Sequence, residues 1–102
     1  MVSGKATAEV NGTVIAEATE WEEVEGNVYF PPASVKQEYL HKSDLKTTCG
    51  WKGVASYYTI KVNGTERPNA AWYYPEPKEA AANIKDHVAF YTSKVNVSKE
   101  TA

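Results

Sequence analysis

An alternation of apolar and polar residues with a period of two runs through most of the chain and predicts short β-strands. Asn11-Gly12 lies between two such runs, and an Asn-Gly pair in this position favours a two-residue type I′ hairpin. Glu25-Gly26 lies between two further runs. The sequence therefore predicts a first hairpin and a second pair of strands, made of residues 6–10 with 13–17 and of residues 21–24 with 27–30.

The longest predicted hairpin surrounds Asn63-Gly64, where β-branched and aromatic residues are frequent. With a two-residue loop, Lys61 faces Glu66, a favourable cross-strand pair that marks a solvated tip. Pro68 can force a bulge, which shifts the register beyond it. The two strands are residues 54–62 and 65–74.

Proline and capping signals predict two short helices. A capping box that begins at Ser34 predicts a helix over residues 35–41. Pro77 can begin a second helix that extends to Asn83, since the first helical position tolerates proline. Two last extended runs cover residues 87–91 and 94–97.

At least seven short strands against two short helices indicate a mainly β fold on the border of α+β. We expect small antiparallel sheets, curled around one core or closed into a partly open barrel. The length of 102 residues suits a single domain over residues 1–102, with residues 99–102 frayed.

Composition and charge exclude several classes of protein. Eleven basic residues against 13 acidic ones give a net charge of -2, so no positive field favours nucleic acid as a partner. No apolar run approaches the length of a membrane span, so no membrane partner is expected. A lone cysteine without a signal peptide predicts a reducing, cytoplasmic setting, and a homo-oligomer is left open.

The segment from Thr47 to Gly53 carries the least ordinary chemistry. Cys49, close to the cation of Lys52, is a candidate nucleophile, although free cysteine is more often a small buried hydrophobic residue. Lys52 lies between glycines that allow a backbone to approach a ligand, so it can contact a phosphate or carboxylate or can be a solvated loop residue. We take both as catalytic candidates.

Metal ligands are scarce in the sequence. His41 and His87 are isolated, and no HxH or HExxH spacing occurs. A transition-metal site would need carboxylates from distant segments, so neither a metal nor a cofactor is expected. The acidic residues around Trp21 alternate with apolar ones and are interpreted as the wet face of a strand; they are Glu20, Glu22, Glu23 and Glu25.

Aromatic residues on one face of the long hairpin form the strongest candidate binding surface. Tyr57, Trp72 and Tyr74 share this face with the small residues Gly53, Ala55 and Ala70. Large rings that flank a floor of small side chains can hold a flat ligand, unless a second sheet or a helix covers them. For a pocket, we expect Trp72 and Tyr74 to be partly exposed and close to Lys52 or Trp51.

Four spaced motifs resemble the bacterial domain-of-unknown-function 427 family, sometimes labelled nucleotidyltransferase-like. The resemblance covers about residues 28–97. Proline commonly follows the cysteine in that family, whereas Gly50 follows it here. The motifs are Val28-Tyr29-Phe30-Pro31, the segment from Cys49 to Tyr58, Ala71-Trp72-Tyr73-Tyr74-Pro75 with Pro77, and Ile84 followed by Val88-Ala89-Phe90-Tyr91.

The resemblance implies a small, mostly β domain of the β-tent kind found in cereblon-like and methionine-sulfoxide-reductase-like proteins. It implies no particular reaction. Nucleotidyl transfer requires paired carboxylates on magnesium, usually beside a phosphate-binding loop, and the sequence has neither a DxD motif nor a P-loop.

Three hypotheses about function follow. The first is a small-ligand-binding module with a site of aromatic residues and one lysine. The second is an enzyme that uses Cys49 or Lys52, and the third is a structural or protein-interaction domain without a ligand. The ligand-binding candidates are Trp51, Lys52, Tyr57, Trp72 and Tyr74.

Overall fold

The computed structural model describes residues 1–102 and consists mostly of β-strands, which confirms the mainly β prediction. The eight strands are β1 (Val2–Val10), β2 (Thr13–Val24), β3 (Asn27–Tyr29), β4 (Leu40–Cys49), β5 (Gly53–Val62), β6 (Thr65–Tyr73), β7 (Val88–Phe90) and β8 (Asn96–Thr101). They form two curled antiparallel sheets, in the orders β3-β2-β1-β8 and β4-β5-β6-β7.

The predicted hairpins form, and their three turns share one backbone conformation. Asn11, Glu25 and Asn63 have φ values of 49°, 54° and 47°, and each precedes a glycine whose φ lies between 78° and 83°. Two consecutive positive φ values match a type I′ turn. Glu25 therefore stands where the other two turns have the preferred asparagine.

The register between β5 and β6 follows the prediction at the tip and shifts at Pro68. Lys61 pairs with Glu66, as predicted. Three residues of β6 then lie opposite one residue of β5, and Asn69 takes a positive φ of 49°. Beyond this bulge Tyr57 pairs with Trp72. Because the shift amounts to two residues, the alternation of faces is preserved.

Two backbone hydrogen bonds join one sheet to the other. The N–H of Phe30 donates to the carbonyl of Val88 over 2.8 Å, and the N–H of Val88 donates back over 2.9 Å. This antiparallel bridge links the edge strands β3 and β7. Its neighbour Tyr29 points to the opposite face, because successive strand residues alternate.

The predicted helix over residues 35–41 is wrong. Two single 3-10 turns, Pro32–Ser34 and Gln37–Tyr39, precede β4 instead. Val35 between them is extended, forms a bridge to Ala16 in β2 and is 6% exposed. Burial of Val35 against the neighbouring sheet therefore outweighs the local capping signal, since tertiary contacts override weak helix propensity.

The second predicted helix is a 3-10 segment, Glu79–Ile84, and it is interrupted at Ala81. At that kink φ is -120°, so no regular α-helix forms. Ala81 and Ile84 are both buried against the sheet. The two short helices of the predicted fold are thus replaced by 3-10 turns.

Two further differences concern β4 and the C-terminus. The sequence predicted no strand in Leu40–Cys49, whose residues are mostly exposed and polar because β4 is an edge strand. The sequence predicts that residues 99–102 fray, whereas residues 99–101 are paired in the structure. Lys99 pairs with Ala6, and Thr101 pairs with Gly4, so β8 extends the first sheet to its end.

The apolar side chains form two clusters, one on each face of β5. Ile60 and Val62 belong to the main core between the sheets, whereas Ala55 and Tyr57 face a smaller cluster. The 3-10 segment Glu79–Ile84 packs on that smaller cluster. A slip of one residue would move every side chain of β5 to the opposite face. Because both faces are buried, the register of β5 is strongly specified.

Replacement of Ile60 by alanine tests the main core. Ile60 is fully buried, so Ile60→Ala should lower the free energy of unfolding by about 2–5 kcal/mol. Val54→Ala, in the same strand at a position that is 48% exposed, is the control and should change it by less than about 1 kcal/mol. Urea unfolding measures both, and equal losses would contradict the placement of β5.

Candidate functional site

A cleft of about 350 Å³ opens on the face of the sheet that carries the smaller cluster. Strands β3, β5 and β6, the end of β7 and the turn between β4 and β5 supply its walls. Six of the nine lining residues are aromatic. The lining residues are Asn27, Tyr29, Lys52, Tyr57, Trp72, Tyr74, Phe90, Tyr91 and Thr92.

The aromatic rings of the cleft contact one another in a chain. Tyr29 meets Trp72 edge to face, with ring centroids 6.3 Å apart, and Trp72 lies 4.6 Å from Tyr91. Tyr57 stacks on Tyr91 at an angle of 9° between the ring planes. Aromatic contacts of this kind restrain each ring, so the walls of the cleft are preorganised.

Hydroxyl groups connect the rings at their polar ends. The indole Nε1–H of Trp72 donates to the hydroxyl oxygen of Tyr29 over 3.1 Å. The Tyr57 hydroxyl lies 2.9 Å from the hydroxyl of Thr47 and 3.4 Å from that of Tyr91. The indole N–H and the tyrosine hydroxyls thus have hydrogen-bond partners, which they need because an unpaired polar group is costly in an apolar environment.

The Lys52 side chain enters the cleft and is the one charged group of its lining. Its Nζ forms an ion pair with the carboxylate of Glu25 from the turn between β2 and β3. It also lies 5.2 Å from the Trp51 ring centroid and 5.8 Å from that of Tyr74. Because Glu25 and Lys52 lie in turns of different sheets, this ion pair links the two sheets.

The turn that carries Lys52 is held by the segment before the 3-10 turn of Glu79–Ile84. The Lys78 N–H donates to the Lys52 carbonyl over 2.9 Å, and its Nζ donates to the Gly50 carbonyl over 2.6 Å. Gly53 has a φ of 112°, and a Cβ there would lie 3.3 Å from the carbonyl oxygen of Glu76. Glycine is therefore required at Gly53 by both conformation and space.

Burial and neighbouring charges change the pKa of Lys52 in opposite directions. Burial alone lowers it, but the hydrogen bond to Glu25 and nearby Tyr29 and Tyr74 outweigh this effect, and the pKa lies above the usual 10.5. Lys52 is therefore a protonated ammonium. The same ion pair holds the pKa of Glu25 below its usual value.

Cys49 lies at the end of β4, half-buried, and does not line the cleft. Backbone N–H groups of Lys52 and then Trp51 donate to its sulfur, and they lower the pKa of the thiol below 9.0. Donors that stabilise a thiolate increase its fraction at neutral pH. Cys49 is thus half-buried and not fully buried, and its role as a nucleophile stays a prediction.

The structure brings four of the five predicted ligand-binding residues to one cleft. They are Lys52, Tyr57, Trp72 and Tyr74. Trp51 is 42% exposed and contacts Lys52 from outside the lining. Trp72 is half-buried, as expected for a pocket, whereas Tyr74 is only 5% exposed, which is more buried than expected.

Sequence reasoning missed Tyr29, Tyr91 and Glu25. Tyr29 lies next to Phe30, which joins the sheets, and Tyr91 directly follows β7. Their part of the sequence contains no signal of which strands meet. Glu25 was interpreted as part of the wet face of a strand, but it lies in a turn. A glutamate before a glycine, between two predicted strands, is the signal that could have indicated it, because such turns prefer asparagine, aspartate or glycine.

Nowhere do three or more histidine, cysteine, aspartate or glutamate side chains come together as ligands for a metal ion. Among the helical segments, none has the length and apolar character that a membrane crossing requires.

The chain matches the family model described as "Domain of unknown function (DUF427)" over residues 2–101. The match extends beyond the resemblance at residues 28–97 and includes the whole of β1 and β8. No curated protein matches the chain. Since the match covers nearly the whole chain, the protein belongs to the DUF427 family.

Tyrosine ionisation tests the packing of the cleft. The hydrogen bond with Tyr57, together with burial, raises the pKa of Tyr91 to about 12, and burial with the neighbouring Tyr73 raises that of Tyr58 to about 12. A titration of tyrosinate absorbance against pH should therefore show a late phase, in which the last tyrosines ionise near pH 12. The folded protein keeps these two tyrosine protons at a pH where the unfolded chain has lost them. Their contribution to the free energy of unfolding is therefore complete below the ordinary pKa of 10.0 and is lost as the pH rises towards 12.

The Tyr91→Phe variant should lose part of this late phase, and Tyr58→Phe should lose the remainder. A late phase that is unchanged in Tyr91→Phe would contradict the assignment.

Thiol labelling tests the environment of Cys49. The midpoint of its labelling rate against pH should lie below that of an unstructured cysteine peptide, because backbone N–H groups stabilise the thiolate. Lys52→Met should leave the midpoint low, since the backbone donors have the largest effect. A midpoint equal to that of an unstructured cysteine peptide, measured alongside, would refute this description.

Proposed function

We propose that this DUF427 protein binds a small, flat molecule in the aromatic cleft. The observation that carries the proposal is the lining itself, in which six aromatic side chains surround one space of about 350 Å³. Ligand pockets range from roughly 300 to 1,000 Å³ and are mostly apolar with a few polar groups. The size therefore suits a ligand of one or two fused rings.

The aromatic side chains range from buried to exposed, and this range supports ligand binding over a role in core packing alone. Tyr57 and Tyr74 are buried, Trp72 is half-buried and Tyr91 is 39% exposed at the rim. The 3-10 segment Glu79–Ile84 covers the neighbouring apolar cluster but does not line the cleft. A flat ligand could therefore reach the rings from the rim.

The enzyme hypothesis has weaker support. A lysine nucleophile must be neutral, and the neighbours of Lys52 keep it protonated. Cys49 has a lowered thiol pKa, but it lies outside the lining of the cleft. We therefore place Lys52 in the proposed site as a ligand contact, and the nucleotidyltransferase-like label forms no part of the proposal.

Charge and cysteine content bear on the type of ligand and on the cellular setting. The ligand is proposed to be a free small molecule rather than nucleic acid, because the net charge is -2. The single unpaired Cys49 supports a reducing, cytoplasmic setting. A structural or protein-interaction role would leave the aromatic cleft without a ligand.

Truncation of Tyr91 tests the proposal. In a thermal-shift screen of one- and two-ring aromatic fragments, binding should raise the melting temperature of the wild type. Tyr91→Ala removes a stacking wall at the rim and should weaken the best fragments about five-fold or more. Little stability should be lost, since Tyr91 is 39% exposed.

Tyr73→Ala is the matched control, because Tyr73 stacks on Tyr58 at 4.4 Å and does not line the cleft. It should keep fragment affinity. If no fragment shifts the wild type, or if the two variants lose affinity equally, the proposed function is wrong.

A further inference from the structure

We infer that the ligand of the aromatic cleft carries a carboxylate, and that Glu25 competes with this carboxylate for the ammonium of Lys52. The inference rests on the proposed function and names the chemical class of its ligand. It also gives Glu25 the role of an exchangeable counter-ion that determines specificity.

The charges around the cleft favour an anion over a cation. The Lys52 Nζ lies 5.8 Å from the Tyr74 ring centroid, and the Lys94 Nζ lies 5.9 Å from that of Tyr91. Two rings that could hold a cation therefore already face an ammonium group. An incoming cation would meet like charges, whereas an anion would find Lys52 at the wall of the cleft.

The two members of the ion pair differ greatly in exposure. The side chain of Lys52 is 8% exposed, whereas that of Glu25 is 51% exposed. A buried ammonium without a partner is costly, but a half-exposed carboxylate can turn to water at little cost. Glu25 can therefore leave the ion pair, provided that another anion takes its place.

Exchange of one carboxylate for another keeps the charge balance of the site. Glu25 contributes one negative charge to Lys52, and a monoanionic ligand supplies the same charge at the same ammonium. A dianion would add a charge that this single lysine does not neutralise. The structure therefore favours a flat monocarboxylate.

The local conformation of Glu25 also indicates a role for its side chain. It occupies the left-handed first position of a type I′ turn, with a φ of 54°, where asparagine, aspartate and glycine are preferred. The two other turns of this type have Asn11 and Asn63 at that position. A residue type that a turn does not prefer is expected at positions where its side chain serves a function at the expense of local stability.

Three probes that share one indole ring test the inference by calorimetry: indole-3-acetate, neutral indole-3-ethanol and cationic tryptamine. The wild type should bind indole-3-acetate most tightly and tryptamine least. Glu25→Gln removes the competing carboxylate and should raise the affinity for indole-3-acetate at least about three-fold, since three-fold is the scale of a fully exposed ion pair and Lys52 is buried. Its affinity for indole-3-ethanol should not change.

Two variants complete the design. Lys52→Met should abolish the preference for indole-3-acetate over indole-3-ethanol. Glu17→Gln is the matched control, because Glu17 is 55% exposed, pairs with Lys5 and lies away from the cleft; it should behave as wild type. If Glu25→Gln does not fold, Glu25→Asn places the preferred turn residue there and removes the same contact.

The outcomes separate the inference from the proposed function. If indole-3-ethanol binds but Glu25→Gln leaves the affinity for indole-3-acetate unchanged or lower, flat ligands bind and the carboxylate exchange is wrong. If none of the three probes binds the wild type, both are wrong.

Discussion

The two backbone hydrogen bonds between Phe30 and Val88 determine the geometry of the site. They join β3 of one sheet to β7 of the other, and neighbouring strand residues alternate between faces. Phe30 consequently enters the main core, while Tyr29 points into the smaller cluster and accepts the hydrogen bond from Trp72. Without this junction, the wall that β3 contributes would not face the rings of β6.

Burial of β5 on both faces explains why an aromatic cleft and a stable core coexist in a small chain. Ile60 and Val62 belong to the main core, which does not depend on the cleft. Tyr57 on the other face lies beside a cluster that the 3-10 segment covers only in part. The aromatic rings there are long enough to contribute to packing at one edge and to leave the other accessible.

The one charged residue that lines the cleft is the buried Lys52. Lys52 would be costly to bury alone, and Glu25 across the gap between the sheets balances it. This is the ion pair that connects the two sheets, since the other three lie within the first sheet or at its terminus. An ion pair with one buried and one half-exposed partner can hold the two sheets together and still exchange its exposed carboxylate, as the inferred carboxylate ligand requires.

Local signals in the sequence determined the hairpins and one face of the site, whereas long-range pairing decided the rest. Asn11-Gly12 and Asn63-Gly64 favour their turns through backbone conformation alone, and the register from the second turn placed Tyr57 and Trp72 on one face. A type I′ turn acts over four residues, so it can be recognised without knowledge of the fold. The helix expected at residues 35–41 failed because Val35 is buried against a strand that is distant in sequence. Tyr29 and Glu25 join the site through contacts between the two sheets, and Tyr91 joins it because β7 pairs with β6. No local pattern specifies which strand edges meet.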